Sequence, residues 1–463
     1  MKFIGRTDEK NILKTLFQSN LFESVLLYGR RRVGKSELIK QCIRETDVHA
    51  LYYECKQTSE MNNVESLSRL ISENENLPLL SFSGIEEILE YILKTSNNVN
   101  KVLVLDEYSY LRDKVDGMDS ILQALIDKYK DVSKLKLIIC GSYVDIMQSL
   151  IYSHNPLYGR FSKIIDLKQM DYFDSAKFYT DFSHEDKVRL YSVFGGIPYY
   201  NRLIDVNKTV RENIIDLIAS PGARLELEVS MYLKSEISKI VNANEAFEAM
   251  AAGNSKYSDI YSKSHVSSRP TLIDVLEKLI RMEIVVKESP INDERNKKKS
   301  GYYINDNLSY FYYKYIFRYL SQMNVMNSDV FYEKFIEEDF ETKYVPMMFE
   351  KVCKQYLIRL NRKGMLNTPF YKIGKFYYDD PVNRKNGEFD IVSEDEFGYI
   401  FYECKYKNAK VTKQMVEQEI QQVKQTNLNC YKFGFFSKSG FEEDVNKTMF
   451  LYDLDDIFQD QLE

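Results

Sequence analysis

The run Gly29-Arg30-Arg31-Arg32-Val33-Gly34-Lys35-Ser36 meets the Gly-x4-Gly-Lys-Ser/Thr spacing of a triphosphate-binding loop. Its two glycines let the backbone turn tightly, so amide N–H groups and the N-terminus of the next helix can wrap phosphates. Lys35 is then the charge that reaches the β- and γ-phosphates and Ser36 the hydroxyl that holds Mg2+, with Gly29, Arg32, Val33, Gly34 and Glu37 around the same nucleotide. Such a loop needs carboxylates on a neighbouring strand. Lys101-Val102-Leu103-Val104-Leu105-Asp106-Glu107 supplies them, Asp106 to hold Mg2+ through water and Glu107 to polarise the attacking water. Ser142 closes the apolar run at residues 135–140 and is a candidate γ-phosphate sensor, the alternative being a helix N-cap.

A second set of reactive side chains lies far along the chain. Glu388-Phe389-Asp390-Ile391-Val392 and the run from Tyr399 to Tyr406 read as strands joined by a polar turn at residues 393–398. Folding that hairpin about positions 396 and 397 sets Asp390 opposite Glu403, and Lys405 shares the face of Glu403. Two acids and a lysine suit phosphodiester hydrolysis: Asp390 and Glu403 bind Mg2+, while Lys405 positions water and steadies the developing charge. The alternative is an exposed hairpin with a cross-strand charge pair.

The elements that must position these groups follow from periodicity. Strands alternating with helical stretches through about residue 170 indicate an α/β domain with a doubly wound parallel sheet and its ligand at the carboxyl ends of the strands. Residues 256–261 and 270–279 read as two short helices, Pro270 standing where its missing N–H costs nothing. Strands at 284–287 and 302–304 flank the polar loop 292–301, so helix, turn, helix and β-wing make a winged helix. Arg295, Lys297, Lys298 and Lys299 in that loop suit DNA phosphates, and equally the solvated tip of a protein-binding module. The dense tyrosines from Tyr310 to Tyr315 read as packing.

A chain of 463 residues exceeds one ordinary core, so two to four domains are expected. A net charge of −6 provides no global field toward nucleic acid, which leaves only local contacts. Six scattered cysteines without a Cys-x-x-Cys pair and four isolated histidines exclude a zinc ribbon and suit a reducing cytoplasm. No run approaches the roughly eighteen apolar residues of a membrane span, and the N-terminus has no signal-peptide core. A cytoplasmic protein without membrane contact is expected.

These pieces together resemble the archaeal-type P-loop ATPases related to AAA+ and signal-transduction ATPases. The resemblance rests on Phe3-Ile4-Gly5-Arg6-Thr7-Asp8-Glu9, the P-loop, Leu105-Asp106-Glu107, Cys140-Gly141-Ser142, Pro156-Leu157-Tyr158-Gly159-Arg160 and Phe194-Gly195-Gly196-Ile197-Pro198. It implies that Gly5, Arg6 and Glu9 lie by the adenine, that Gly196 and Pro198 approach the nucleotide from a helical lid, and that Arg160 senses the γ-phosphate, in its own subunit or across an interface. An ordinary ion pair is the alternative for Arg160.

The C-terminal acids resemble the restriction-endonuclease-like superfamily, which adds Glu350 as a helical acid at the metal and Gln414, Glu417 and Gln421 near the scissile phosphate. The expected organisation is an ATPase core at 1–170, a helical lid at 171–235, a winged helix at 236–327 and a nuclease-like α/β domain at 328–463. ATP and Mg2+ are the expected cofactors, with DNA and a second copy or another protein as partners. The preferred function is an ATP-hydrolysing switch controlling a Mg2+-dependent nuclease-like domain that acts on nucleic acid; the alternatives are a nucleotide-gated regulator that binds DNA or protein without cutting, and a non-hydrolysing nucleotide sensor.

Overall fold

Five apolar runs of the N-terminal third become parallel strands: β1 (Glu23–Tyr28), β2 (His49–Glu54), β3 (Lys101–Asp106), β4 (Lys136–Gly141) and β5 (Lys163–Asp166). They stand in the order β2-β3-β4-β1-β5. Val25, Leu26, Leu27, Val104, Leu105, Ile138 and Ile139 are fully buried, because a parallel sheet is covered on both faces and its strands must be apolar throughout. Helix α1 (Thr7–Gln18) precedes β1 and helix α2 (Lys35–Thr46) follows it. The computed structural model describes residues 3–237, 240–380, 385–445 and 448–459. Met1 and Lys2, ahead of the N-terminal motif, lie outside them.

Two compact units result. The first runs to Gln169 and also takes in Ile197–Tyr199; the second comprises Met170–Gly196 and everything from Tyr200 onward. The segments expected as lid, winged helix and C-terminal domain thus share one unit, apart from Ile197–Tyr199 of the expected lid.

In the second unit, helices Tyr257–Lys263 and Arg269–Arg281 are followed by the antiparallel pair β6 (Val285–Glu288) and β7 (Gly301–Ile304). The second helix starts at a Ser268 cap with Pro270 in its first turn. Further along, Tyr312–Ile316, Glu333–Glu337 and Phe340–Tyr344 are π-helical turns. Tyr312, Tyr313 and Tyr315 are buried there, Tyr313 stacked 4.5 Å from Phe247, so these rings pack a core.

A second five-stranded sheet, ordered β12-β11-β10-β9-β8, closes the chain. Its strands are β8 (Lys372–Asp380), β9 (Lys385–Asp395), β10 (Gly398–Lys405), β11 (Cys430–Ser437) and β12 (Phe450–Asp453). The first three form an antiparallel meander; β10, β11 and β12 are parallel, with helix Lys413–Lys424 as the crossover that parallel neighbours require. The expected six-residue turn at 393–398 shrinks to Glu396 and Phe397, since residues 393–395 stay paired in β9.

Candidate active site

The phosphate loop joins β1 to α2. Gly29, with φ 154°, admits no side chain, because a Cβ there would stand 2.4 Å from the Leu167 carbonyl oxygen. Gly34, with φ 99°, starts α2. Lys35 lies across the loop, its Nζ donating to the carbonyls of Gly29 at 2.8 Å and Arg30 at 3.0 Å. Burial lowers the pKa of this ammonium, while Glu107 and Asp106 act to keep it charged. A triphosphate would stabilise the charged form more strongly than two carbonyls do.

The acids converge on the same point. Ser36 Oγ donates to Asp106 Oδ2 at 2.7 Å, and the Glu107 amide donates to Asp106 Oδ1 at 3.0 Å. Both Ser36 and Asp106 offer hard oxygen donors, the ligand type Mg2+ takes, so this pair fits the expected ion. Glu107 sits in the left-handed region at φ 53°, a conformation that costs a non-glycine residue energy and recurs at functional sites. Its carboxylate accepts from the Ser142 amide at 3.1 Å and from Ser142 Oγ at 2.5 Å. The hydroxyl of Ser142 is therefore spent on Glu107. The following helix, Val144–Ser149, begins instead after Tyr143 without a side-chain cap.

Other expected residues occupy unexpected places. Gly5, with φ 66°, and Arg6, with φ 62°, turn the chain into α1. The Arg6 guanidinium donates to the Val33 carbonyl at 3.1 Å and the Lys168 carbonyl at 2.6 Å, and lies 3.4 Å from Glu9. It braces the phosphate loop, a job the adenine expectation did not include. Arg32, also left-handed at φ 67°, lays its guanidinium 4.3 Å from the centre of the Tyr199 ring. Val33 is buried and Glu37 is exposed on the first turn of α2. The Pro198 ring is within packing distance of Gly34. Gly196 belongs to the second unit, where a Cβ would overlap the Met170 carbonyl oxygen at 1.8 Å, so its lack of a side chain serves packing.

Arg160 is engaged by Asp127. Its NH2 donates at 2.8 Å to that carboxylate and its NH1 at 2.8 Å to the Pro156 carbonyl. The ion-pair alternative describes this geometry.

Sequence reasoning missed Tyr52. Its hydroxyl donates to Asp106 Oδ2, and Lys40 Nζ rides 4.7 Å from the centre of its ring. No local motif flags a tyrosine on β2.

In the second unit the register extends as expected. Tyr402 pairs with Ile391, which sets Asp390 beside Glu403 one step on. Each acid has its own lysine. Lys405 Nζ lies 2.8 Å from Glu403 and 2.6 Å from Glu419, whereas Lys375 Nζ lies 3.1 Å from Asp390. Lys375 comes from β8, whose ladder with β9 slips between Gly374 and Phe376: Asp390 and Ile391 of β9 stand opposite Lys375 alone, so β9 carries the extra residue, and such a bulge re-aims side chains. Glu350, in helix Val345–Arg362, has its carboxyl pushed up to about 8 by burial, Asp390 and Glu403, with Lys375 opposing. Among the described residues no three His, Cys, Asp or Glu side chains stand close enough to hold an ion. As placed, Glu350, Asp390 and Glu403 do not form a three-carboxylate cluster of that kind. Gln414, Glu417 and Gln421 are exposed, and the helix turns Glu419 toward Lys405 instead, because the apolar stripe containing Val416 and Val423 sets the buried face.

The polar loop between β6 and β7 is neither free wing nor solvated tip along its whole length. The Ile291 amide donates to the Lys375 carbonyl at 2.8 Å, and the Asn292 side chain pairs with both backbone groups of Tyr377, donating at 2.7 Å and accepting at 3.0 Å. Ile291 joins the core of Phe376, Phe389 and Phe401, and Lys299 caps the Tyr377 ring at 3.5 Å. This straps the outer edge of β8, an edge that must otherwise be covered or charged. Arg295, Lys297 and Lys298 remain exposed.

Comparison with known proteins adds to this geometry. Residues 3–204 match a family described as an ATPase domain predominantly from Archaea. Those residues form an ATPase domain of the P-loop kind. Residues 312–423 of this ATPase match a family of archaeal and bacterial proteins of unknown function. An uncharacterised protein of Methanocaldococcus jannaschii is 28% identical over 462 residues, 98% of this chain and 99% of its own. The Walker-type ATPase of Pyrococcus abyssi superposes with a TM-score of 0.51 at 17% identity, covering 67% of this chain and 96% of the other, which speaks for a shared fold. The ORC2 protein of Aeropyrum pernix, in its ADPNP–ADP complexes, gives a TM-score of 0.49 at 12% identity over 68% of this chain and 93% of its own. No helix among the described residues is long and apolar enough to cross a membrane.

Proposed function

We propose that this ATPase is a molecular switch whose nucleotide state is passed to a second unit acting on nucleic acid. The observation that carries the proposal is the place of Ile197–Tyr199. These three residues belong to the first unit, where Pro198 packs by Gly34 and Tyr199 meets Arg32, yet Gly196 before them and Tyr200 after them belong to the second. A triphosphate that reshapes the loop Gly29, Arg32, Val33, Gly34 and Lys35 therefore pulls on a covalent link. In the chemical step Lys35 neutralises phosphate charge and Ser36 with Asp106 would hold Mg2+, which supplies further charge neutralisation there. Glu107, held by Ser142, orients water. Gly5, Arg6 and Glu9 shape the base side, and Arg160 reaches the γ-phosphate only after leaving Asp127.

For the second unit, binding without cleavage is the reading the side chains favour. Lys375 and Lys405 already neutralise Asp390 and Glu403, the two acids that cleavage would assign to metal. The exposed Arg295, Lys297 and Lys298 give a local basic patch for DNA phosphates. Cleavage by a nuclease-like Asp390, Glu403 and Lys405 set, with Glu350 joining them at Mg2+, is the competing reading.

The test incubates the full chain with linear, circular and single-stranded DNA and RNA, with Mg2+ or Mn2+, with and without ATP. Retention of duplex without cutting, altered by ATP and unchanged by Asp390→Ala, is expected. Cleavage lost in Asp390→Ala would replace this reading with the nuclease one, and no retention in any nucleotide state would refute action on nucleic acid.

A further inference from the structure

Asp106 is the most heavily engaged carboxylate of the ATPase site, and its partners divide unevenly. Oδ1 accepts from the Glu107 amide, whereas Oδ2 accepts from both Ser36 Oγ and the Tyr52 hydroxyl. The carboxylate is 5% exposed, so water cannot readily replace a lost donor. Tyr52 stands on β2 in register with Val104 of β3, two residues before Asp106, and its hydroxyl reaches forward along the sheet to the end of the neighbouring strand. Helix α2 fixes both sides of this contact. Ser36 in its first turn meets Asp106, and Lys40, one turn later on the same face, covers the Tyr52 ring.

We propose that Tyr52 is a positioning residue for the metal–nucleotide complex, its hydroxyl setting the rotation of the Asp106 carboxylate so that Oδ2 and Ser36 Oγ face the same ion. A carboxylate pinned by donors on both oxygens cannot turn about its Cβ–Cγ bond. Without the tyrosine hydroxyl, one pin of three is gone and Oδ2 is held by Ser36 Oγ alone, a group that also faces the ion. Partners of this kind, one bond removed from a metal, typically govern its affinity by about 10- to 100-fold. The inference rests on Ser36 and Asp106 being the metal-holding pair.

The experiment compares wild type, Tyr52→Phe and Ser36→Ala as full chains. Phenylalanine keeps the ring under Lys40 and removes only the hydroxyl. Three quantities are read: affinity for a fluorescent ADP analogue in EDTA, affinity of the ADP complex for Mn2+ by electron paramagnetic resonance, and thermal midpoint. Tyr52→Phe is expected to weaken Mn2+ binding by about tenfold, with the half-saturating Mg2+ for phosphate release rising in parallel, while the EDTA affinity and midpoint stay at wild-type values. Unchanged Mn2+ affinity in Tyr52→Phe, alongside a loss in Ser36→Ala, would overturn the role of Tyr52. Unchanged Mn2+ affinity in both variants would instead remove Ser36 from the ion. An EDTA affinity that falls as far as the Mn2+ affinity would make Tyr52 a merely structural residue and also overturn the proposal.

Discussion

Replacing Glu350 by glutamine should change the pH dependence of stability in a direction that the acid cluster dictates. Burial, Asp390 and Glu403 raise its carboxyl from 4.5 to about 8, against the pull of Lys375. The folded chain then holds a proton that the unfolded chain has released, so the folded state binds more protons between those two values and stability falls as pH rises. The loss begins as the unfolded-state glutamate ionises near pH 4.5 and is complete above about pH 8. At 1.36 kcal/mol per pH unit, the gap of about 3.5 gives a ceiling of about 5 kcal/mol. Relaxation around a partly accessible side chain reduces this, and about 2–3 kcal/mol is the expected yield. Glu350→Gln carries no charge at any pH and should therefore gain on wild type by that amount between pH 5.5 and 8.5. Hydrogen exchange across helix Val345–Arg362 reads the difference locally, which matters in a chain of two units. A stability difference that stays flat within about 0.5 kcal/mol over that range would refute the reasoning, because the carboxyl would then be ionised in the folded chain as readily as in the unfolded one.

Other expectations follow from single contacts. Lys35→Ala should abolish triphosphate affinity in an equilibrium titration, since the phosphates lose their point charge; unchanged binding would remove Lys35 from the site. Ser142→Ala deletes the 2.5 Å bond to Glu107 and should lower steady-state phosphate release by about 10- to 100-fold with nucleotide affinity intact. Equal turnover would mean that the Ser142 amide alone holds the acid. Asn292→Ala removes both side-chain bonds to the Tyr377 backbone and should speed hydrogen exchange along β8 and proteolysis at residues 292–300; unaltered protection would show that Ile291 alone carries the strap.

The phosphate loop was legible because all its chemistry lies within eight consecutive residues, where glycine spacing and strand-to-helix polarity leave few alternatives. The same holds for Asp106 and Glu107 at a strand end. The apposition of Asp390 and Glu403 was legible by counting, since a two-residue turn between alternating strands sets the register. Tertiary structure decided the rest. Glu107 meets Ser142 across 35 residues, Asp106 meets Tyr52 across 54, and Asn292 meets Tyr377 across 85. Lys375 reaches Asp390 where β9 carries an extra residue against β8, and Arg160 faces Asp127 because the chain brings that carboxylate to it. Local spacing encodes what neighbours along the chain can do. Which side chains meet across a sheet depends on how helices and strands pack, and packing is a property of the whole core.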